Sequence, residues 1–273
     1  MNFPYNKLFD LSGTVAGVTG GAGILGSHFC RGLAAHGASV AVVDIDADAA
    51  EKLGREIEDE FDVESVGVEC NIVLEESVAN MADAVEKALG PINILHNNAG
   101  TKTADIDAFF APLSEFSMDA WREIFSVNLD GMFSVSREIG LRMVERKAGS
   151  IIQTSSIYGA VGPDFRIYEG SFYLDRQITQ PPAYSAAKAG VVGLTKYLAT
   201  AWGDANVRVN AITPGGVASG QNDEFHARYS ARTPMGRMAN AEEMVGALVY
   251  LASDASSYVT GQNLIVDGGL TAW

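Results

Sequence analysis

Short runs of β-branched and aliphatic residues recur along this chain between longer stretches whose apolar positions return every three or four residues. Thr14 to Val18, Ser39 to Val43, Ser65 to Val68, Ile92 to His96, Ser150 to Gln153, Arg208 to Ile212 and Leu264 to Val266 are strand candidates. Ile24 to Ala35, Ala47 to Glu60, Glu75 to Leu89, Met118 to Glu145, Ser185 to Trp202 and Ala241 to Ala252 carry helical spacing. The ends agree: Gly90-Pro91 stops one helix, and Asp46 and Ser117 offer side-chain oxygens as N-caps. Strand and helix alternate over nearly the whole length. This predicts an α/β fold in a single domain, residues 1–273, with a doubly wound parallel sheet and helices on both faces.

Two segments break the alternation, residues 157–183 and 215–240. Both follow strands, at the carboxyl edge where open α/β sheets bind ligands, so substrate is expected there. The first reads as a substrate-loop insertion. The second has Gly215, Gly216 and Gly220 beside Arg228, Arg232 and Arg237, which reads as a lid.

Composition narrows the class. At 273 residues the chain can bury a full core, and 29 Gly against 8 Pro suits close strand-to-helix turns. A formal net charge of −15 argues against nucleic acid or an anionic membrane as partner, since a phosphate-binding surface needs clustered Lys and Arg. Cys30 and Cys70 lack metal or redox spacing, and His28, His36, His96 and His226 show no ligand pattern, so no metal is expected. Met1 to Leu11 lacks a basic region followed by an apolar run, and no stretch reaches the roughly 20 apolar residues of a membrane span. A cytoplasmic protein is expected.

The candidate chemistry begins at Thr19-Gly20-Gly21-Ala22-Gly23-Ile24-Leu25-Gly26, between the first strand and first helix. Glycines allow a sharp turn and close approach to a pyrophosphate, which the free N–H groups at the helix start can meet. Asp44, at the end of the second strand, can accept both hydroxyls of an adenosine ribose and would repel a 2′-phosphate. No Lys or Arg stands in the glycine turn or beside Asp44, which favours NAD over NADP. Asn71, with the backbone of Ile72, can meet the adenine. Asn97-Asn98-Ala99-Gly100 can lay backbone against the cofactor.

Tyr184 and Lys188 lie four apart at the start of a predicted helix, so they share a face. An ammonium beside a phenol lowers a pKa that starts near 10, as a general acid/base near neutrality requires. Ser156, at the end of the fifth strand, can hold a substrate oxygen toward Tyr184, with Ser155 as the alternative. Asn128 is an amide in an otherwise apolar helical pattern and can hold a water that passes protons from Lys188 to solvent.

Together these motifs resemble the short-chain dehydrogenase/reductase family over essentially the whole chain. Val127-Asn128, Ser155-Ser156, Tyr184-Ser185-Ala186-Ala187-Lys188, Arg208-Val209-Asn210, Pro214-Gly215, Thr260-Gly261-Gln262 and Val266-Asp267-Gly268-Gly269 add to the match. The resemblance implies a Rossmann-type fold with a seven-stranded sheet, usually a homotetramer, or else a homodimer. It implies Tyr184 as acid/base, Ser156 as ligand of the substrate oxygen, Lys188 as ribose ligand and pKa modulator, and Asn128 as proton relay. Gly20, Gly23, Ile24, Leu25, Gly26 and Asp44 would hold the adenosine and pyrophosphate. Asn98, Ala99, Gly100, Pro214, Gly215, Val217 and Ser219 would line the nicotinamide side.

Three departures stand out. Gly23 sits where the longer members of the family have their middle glycine. Asn71 and Ser219 stand where Asp and Thr are usual. Ser156 and Tyr184 are about twice as far apart as is common, which places an insertion over the reacting carbon. Its Tyr158, Arg166, Tyr168 and Arg176 are candidate substrate ligands, suited to a polyhydroxylated or acidic molecule. Ser156-Ile157-Tyr158-Gly159 with Ile167-Tyr168-Glu169-Gly170 also looks like oxidoreductases of nonulosonic-acid sugar pathways.

The function expected is therefore NAD-dependent interconversion of an alcohol and a ketone on a sugar, sugar derivative or hydroxy acid. A ketoacyl-reductase-like enzyme is the alternative, against which Asp44 and the acidic charge speak. An inactive NAD-sensing binding protein is the reading from another class, and it predicts a broken Ser, Tyr or Lys position where this chain has all three.

Overall fold

The computed structural model describes residues 5–173 and 175–273. Seven strands form one parallel sheet: β1 (Val15–Thr19), β2 (Ser39–Asp44), β3 (Ser65–Glu69), β4 (Ile92–Asn97), β5 (Gly149–Thr154), β8 (Val207–Pro214) and β9 (Asn263–Val266). Their order is β3-β2-β1-β4-β5-β8-β9. The joining helices are α1 (Ile24–Ala35), α2 (Ala47–Phe61), α3 (Glu75–Leu89), α6 (Met132–Arg146), α7 (Pro182–Trp202) and α9 (Val245–Ala252). The expected doubly wound, Rossmann-type architecture is what the chain adopts.

Period-two alternation along β2 sorts its side chains to the two faces. Val40 and Val42 pack with Phe29 and Leu33 of α1 and Leu248 and Leu251 of α9. Ala41 and Val43 pack on the other face with Val78, Met81 and Val85 of α3 and Val135, Ile139 and Met143 of α6. The central strands are thus covered on both faces, as β1 shows by burying all five of its residues. From β1 the chain crosses outward to β2, while β4 lies on the opposite flank, and this reversal opens a crevice at the carboxyl ends of β1 and β4.

Local chemistry fixes the element ends. Asp46 accepts from the Ala49 N–H at 3.0 Å, Ser117 accepts from the Ala120 N–H at 3.1 Å, and Gly90 closes α3 at φ 96°. The continuous helix expected over Met118 to Glu145 is interrupted. Helix α5 (Met118–Phe125) passes through a π-helical turn, Ser126–Gly131, into α6. Helix α7 starts at Pro182 rather than Ser185, proline being well placed in a first turn. The stretch from Ala241 opens as a 3₁₀ turn, Ala241–Met244, and becomes α-helical at Val245.

Both irregular segments contain structure that their sequence did not announce. The first holds two 3₁₀ turns and a two-residue antiparallel hairpin, β6 (Phe172–Tyr173) with β7 (Arg176–Gln177). The second holds α8 (Asp223–Arg232), and a one-turn helix, α4 (Ile106–Phe109), follows β4. Among the described residues no helix is long and apolar enough to cross a membrane.

Candidate active site

The crevice holds a cavity of about 770 Å³ that runs from the glycine turn to the two irregular segments. At one end Gly20 takes φ 62°, and a Cβ there would come within 2.9 Å of the Ala99 Cα. At Gly26 a Cβ would stand 2.0 Å from the Gly20 carbonyl oxygen, so any side chain would force the turn apart. Helix α1 then begins with neither a side-chain cap nor an acidic residue in its first turn, which leaves its positive end facing the cavity. This cradle suits a pyrophosphate.

Thr19, read from sequence only as the start of the turn, ties the floor together. Its hydroxyl accepts from the Asn98 and Ala99 N–H groups, both at 3.0 Å, and donates to Asn97 Oδ1 at 3.1 Å. Asn98 Nδ2 in turn donates to the Thr19 carbonyl at 3.2 Å. The Asp44 carboxylate lines the cavity and accepts from Ala22 N–H at 3.0 Å and Asp46 N–H at 3.2 Å. Asn71 and Ile72 also line it. The Asn71 side-chain carbonyl, expected to serve the adenine, instead accepts from the Val73 N–H at 3.1 Å and shapes its own turn.

The catalytic candidates meet at the other end. Ser155 donates its hydroxyl to the Lys188 carbonyl at 2.8 Å and is thereby committed to α7. That leaves Ser156, whose hydroxyl lines the cavity beside Tyr184 and hydrogen-bonds with it. Gly159 lets the chain after Ser156 pass close to α7, since a Cβ there would lie 2.6 Å from the Lys188 carbonyl. The Lys188 ammonium stands 5.8 Å from the Tyr184 ring centre and donates to the Thr154 carbonyl at 2.8 Å.

Burial pushes Lys188 down to about 8 and Tyr184 up from its ordinary range, the Ser156 hydrogen bond pulling Tyr184 back. The expected depression of Tyr184 by Lys188 is not what these protein groups produce. Desolvation of the phenol outweighs its hydrogen bond with Ser156.

The π turn places Asn128. Its Nδ2 donates to the carbonyls of Ile124 and Thr101, each at 3.0 Å, while its buried Oδ1 has no protein partner among the described residues. A Cβ on Gly100 would lie 2.9 Å from that Oδ1 and 3.8 Å from Lys188 Nζ, so the two groups flank Gly100. Single π turns inside α-helices commonly mark functional sites.

The insertion and the second segment roof the cavity. Gly215, Val217 and Ser219 line it, whereas Pro214 is buried within β8. Tyr158 and Tyr168 also line it, but Arg166 and Arg176 do not. Arg166 pairs with Asp164 at 2.7 Å and Arg176 with Asp107 at 2.7 Å, both on exposed surface. The two arginines expected to hold substrate are therefore turned outward by nearer carboxylates. Sequence reasoning also passed over Gln180, Tyr229 and Lys102, which all line the cavity. The Lys102 ammonium lies 3.8 Å over the Tyr173 ring, and Tyr229 accepts the Gly216 N–H.

Comparison with known proteins agrees with this geometry. A family model described as Enoyl-(Acyl carrier protein) reductase matches residues 17–271. The chain belongs to the short-chain dehydrogenase/reductase family. It is 36% identical over 269 residues to an NADP-dependent mannitol dehydrogenase of Alternaria alternata, covering 96% of this chain and 94% of that one. It is 35% identical over 280 residues to a galactitol 2-dehydrogenase (L-tagatose-forming) of Cereibacter sphaeroides, covering 98% and 99%. A solved gluconate 5-dehydrogenase of Burkholderia cenocepacia, in complex with NADP and tartrate, superposes with TM-score 0.86 at 31% identity over 98% of both chains. This short-chain dehydrogenase/reductase is an oxidoreductase that acts on CH–OH donors and uses a nicotinamide cofactor.

Proposed function

We propose that this enzyme interconverts a secondary alcohol and a ketone on a polyol, sugar or sugar acid, with NAD preferred over NADP, as a cytoplasmic homotetramer. The observation that carries the reading is the convergence on one cavity of the glycine cradle, Asp44 and the Ser156–Tyr184 hydrogen bond. The substrate class is supported by three relatives named for mannitol, galactitol and gluconate. The relatives named for NADP leave the cofactor preference to Asp44, whose carboxylate opposes a 2′-phosphate with no cation in the glycine turn to offset it.

When bound, the nicotinamide supplies or accepts the hydride at the carbinol carbon. Ser156 donates to the substrate oxygen and fixes it against Tyr184. Tyr184 gives that oxygen its proton in reduction and takes it in oxidation. Lys188 holds positive charge behind the phenol, and Asn128 Oδ1, which has no protein partner among the described residues, holds a water that carries protons onward from Lys188. Residues 215–240 close over the substrate and exclude water.

The test is an absorbance screen of polyols, sugar acids and their ketones with both cofactors, run beside Tyr184→Phe. Turnover is expected with NAD on at least one polyol or sugar acid, and kcat is expected to fall about 10³-fold in the variant. Undiminished turnover in Tyr184→Phe overturns the mechanism, and a preference for NADP overturns the role given to Asp44.

A further inference from the structure

Five side-chain polar atoms among the described residues are buried with no protein partner: His96 Nδ1, Asn128 Oδ1, Gln153 Oε1, Gln180 Nε2 and Ser185 Oγ. Only Asn128 and Gln180 of these residues line the cavity. Asn128 belongs to the proton path described above. Gln180 has no part in that chemistry, yet a buried amide N–H without an acceptor is costly to leave unpaired.

The surroundings of Gln180 show what holds it. It precedes Pro181 and Pro182 at the start of α7, and a residue before proline is confined to extended backbone. Its Oε1 faces the Tyr168 hydroxyl at 3.3 Å and shares that hydroxyl's single proton with the Tyr158 hydroxyl, which is 2.6 Å away. With Oε1 engaged by Tyr168, the amide nitrogen is the group left over. Tyr158 is kept protonated, burial and the neighbouring Tyr184 and Asp164 raising it to about 12 against the pull of Tyr168. All three side chains come from the insertion and all face the space beside Tyr184.

We propose that Gln180, aimed by Tyr168 and Tyr158, is a specificity-determining residue whose amide nitrogen donates to a substrate oxygen on a carbon next to the reacting one. The insertion then selects for vicinal hydroxyl or hydroxy-acid oxygens. A substrate with only a single alcohol would leave the Gln180 N–H groups unpaired inside the closed site, and sites built to hydrogen-bond a substrate group reject analogues lacking it strongly. This deepens the proposed function and rests on it.

The experiment compares kcat/KM on the best polyol or sugar acid of the screen with kcat/KM on the matching secondary alcohol that lacks the neighbouring hydroxyl. In the wild type the first is expected to exceed the second at least 100-fold. Gln180→Leu is expected to cut that ratio 10-fold or more. Gln180→Glu, which removes both donors at the same size, is expected to cut it as well. Tyr168→Phe frees the amide and is expected to cut it less. Dinucleotide fluorescence quenching and thermal unfolding establish that each variant is folded, and where Gln180→Leu is not, Gln180→Glu and Tyr168→Phe carry the comparison.

An equal fall on both substrates, or an unchanged ratio, overturns the role of Gln180 while leaving the polyol reading intact. No wild-type turnover on any polyol or sugar acid overturns that reading and this one together.

Discussion

At the scale of single residues, the site is assembled by carbonyls and glycines as much as by the groups that do chemistry. Lys188 illustrates the cost. Its folded pKa, about 8, lies below its ordinary 10.5, so between those values the unfolded chain holds a proton that the folded chain does not. Stability therefore rises with pH across that window, and below pH 8 the full burden is present, at most about 3 kcal/mol. Lys188→Met is expected to lose at least 100-fold in kcat and to gain about 4 °C in Tm at pH 7, the gain shrinking to nothing near pH 10.5. A Tm that falls further at pH 7 than near pH 10.5 would show the ammonium to be stabilising. Motif and spacing singled out Ser156, Tyr184, Lys188 and Asn128 in the sequence, and the structure lines one cavity with all four. The bond that commits Ser155 elsewhere was not legible, because it reaches a carbonyl 33 positions away.

Elements were legible where a period ran long enough to read. All seven sheet strands lie within a residue or two of where alternation and β-branched runs put them, with β8 extending furthest. The π turn was invisible because its apolar spacing continues that of the flanking helices. The β6–β7 hairpin was invisible because two-residue strands have no period. Arg166 and Arg176 show the same limit, since a loop sequence says that charge is present but not that Asp164 or Asp107 captures it.

Glycines and arginines were all that marked the α8 segment in the sequence, and in the structure it is an exposed helix anchored inward by Phe225 and Tyr229 and outward by surface ion pairs worth little each. Opening it costs little in ion pairs and is resisted mainly by the burial of Phe225 and Tyr229. Limited proteolysis within residues 217–237 is expected to slow several-fold when NADH and the best ketone of the screen are both present. Equal cleavage with and without them would remove the lid from the mechanism.

Over the whole molecule, the two faces of the sheet are closed by separate apolar layers, and one titratable group is sealed between them. His96 packs edge-on against Phe29 with ring centres 4.4 Å apart, and burial lowers it to about 3 from an ordinary 6.5. Between those values the unfolded chain binds a proton that the folded chain refuses, so stability falls as the pH drops. The loss reaches about 2 kcal/mol by pH 5. His96→Leu is expected to flatten that part of the curve in urea unfolding between pH 7 and pH 5. A slope as steep as the wild type's would place the acid sensitivity elsewhere.

The bridge between Val217 and Ala239 brings the two ends of the α8 segment side by side, with hydrogen bonds of 2.9 Å from Ala218 N–H to the Ala239 carbonyl and from Ala239 N–H to the Gly216 carbonyl. Everything between is an excursion whose base is clamped. The excursion is stitched to the insertion by Asn222 to Gly170 and Phe172, by Arg228 to Glu169 and by Arg232 to Asp164. Transplanting either segment alone into a relative would leave those stitches hanging, whereas moving the two as one cassette preserves them and leaves the sheet untouched. The two segments are thus one unit of the fold.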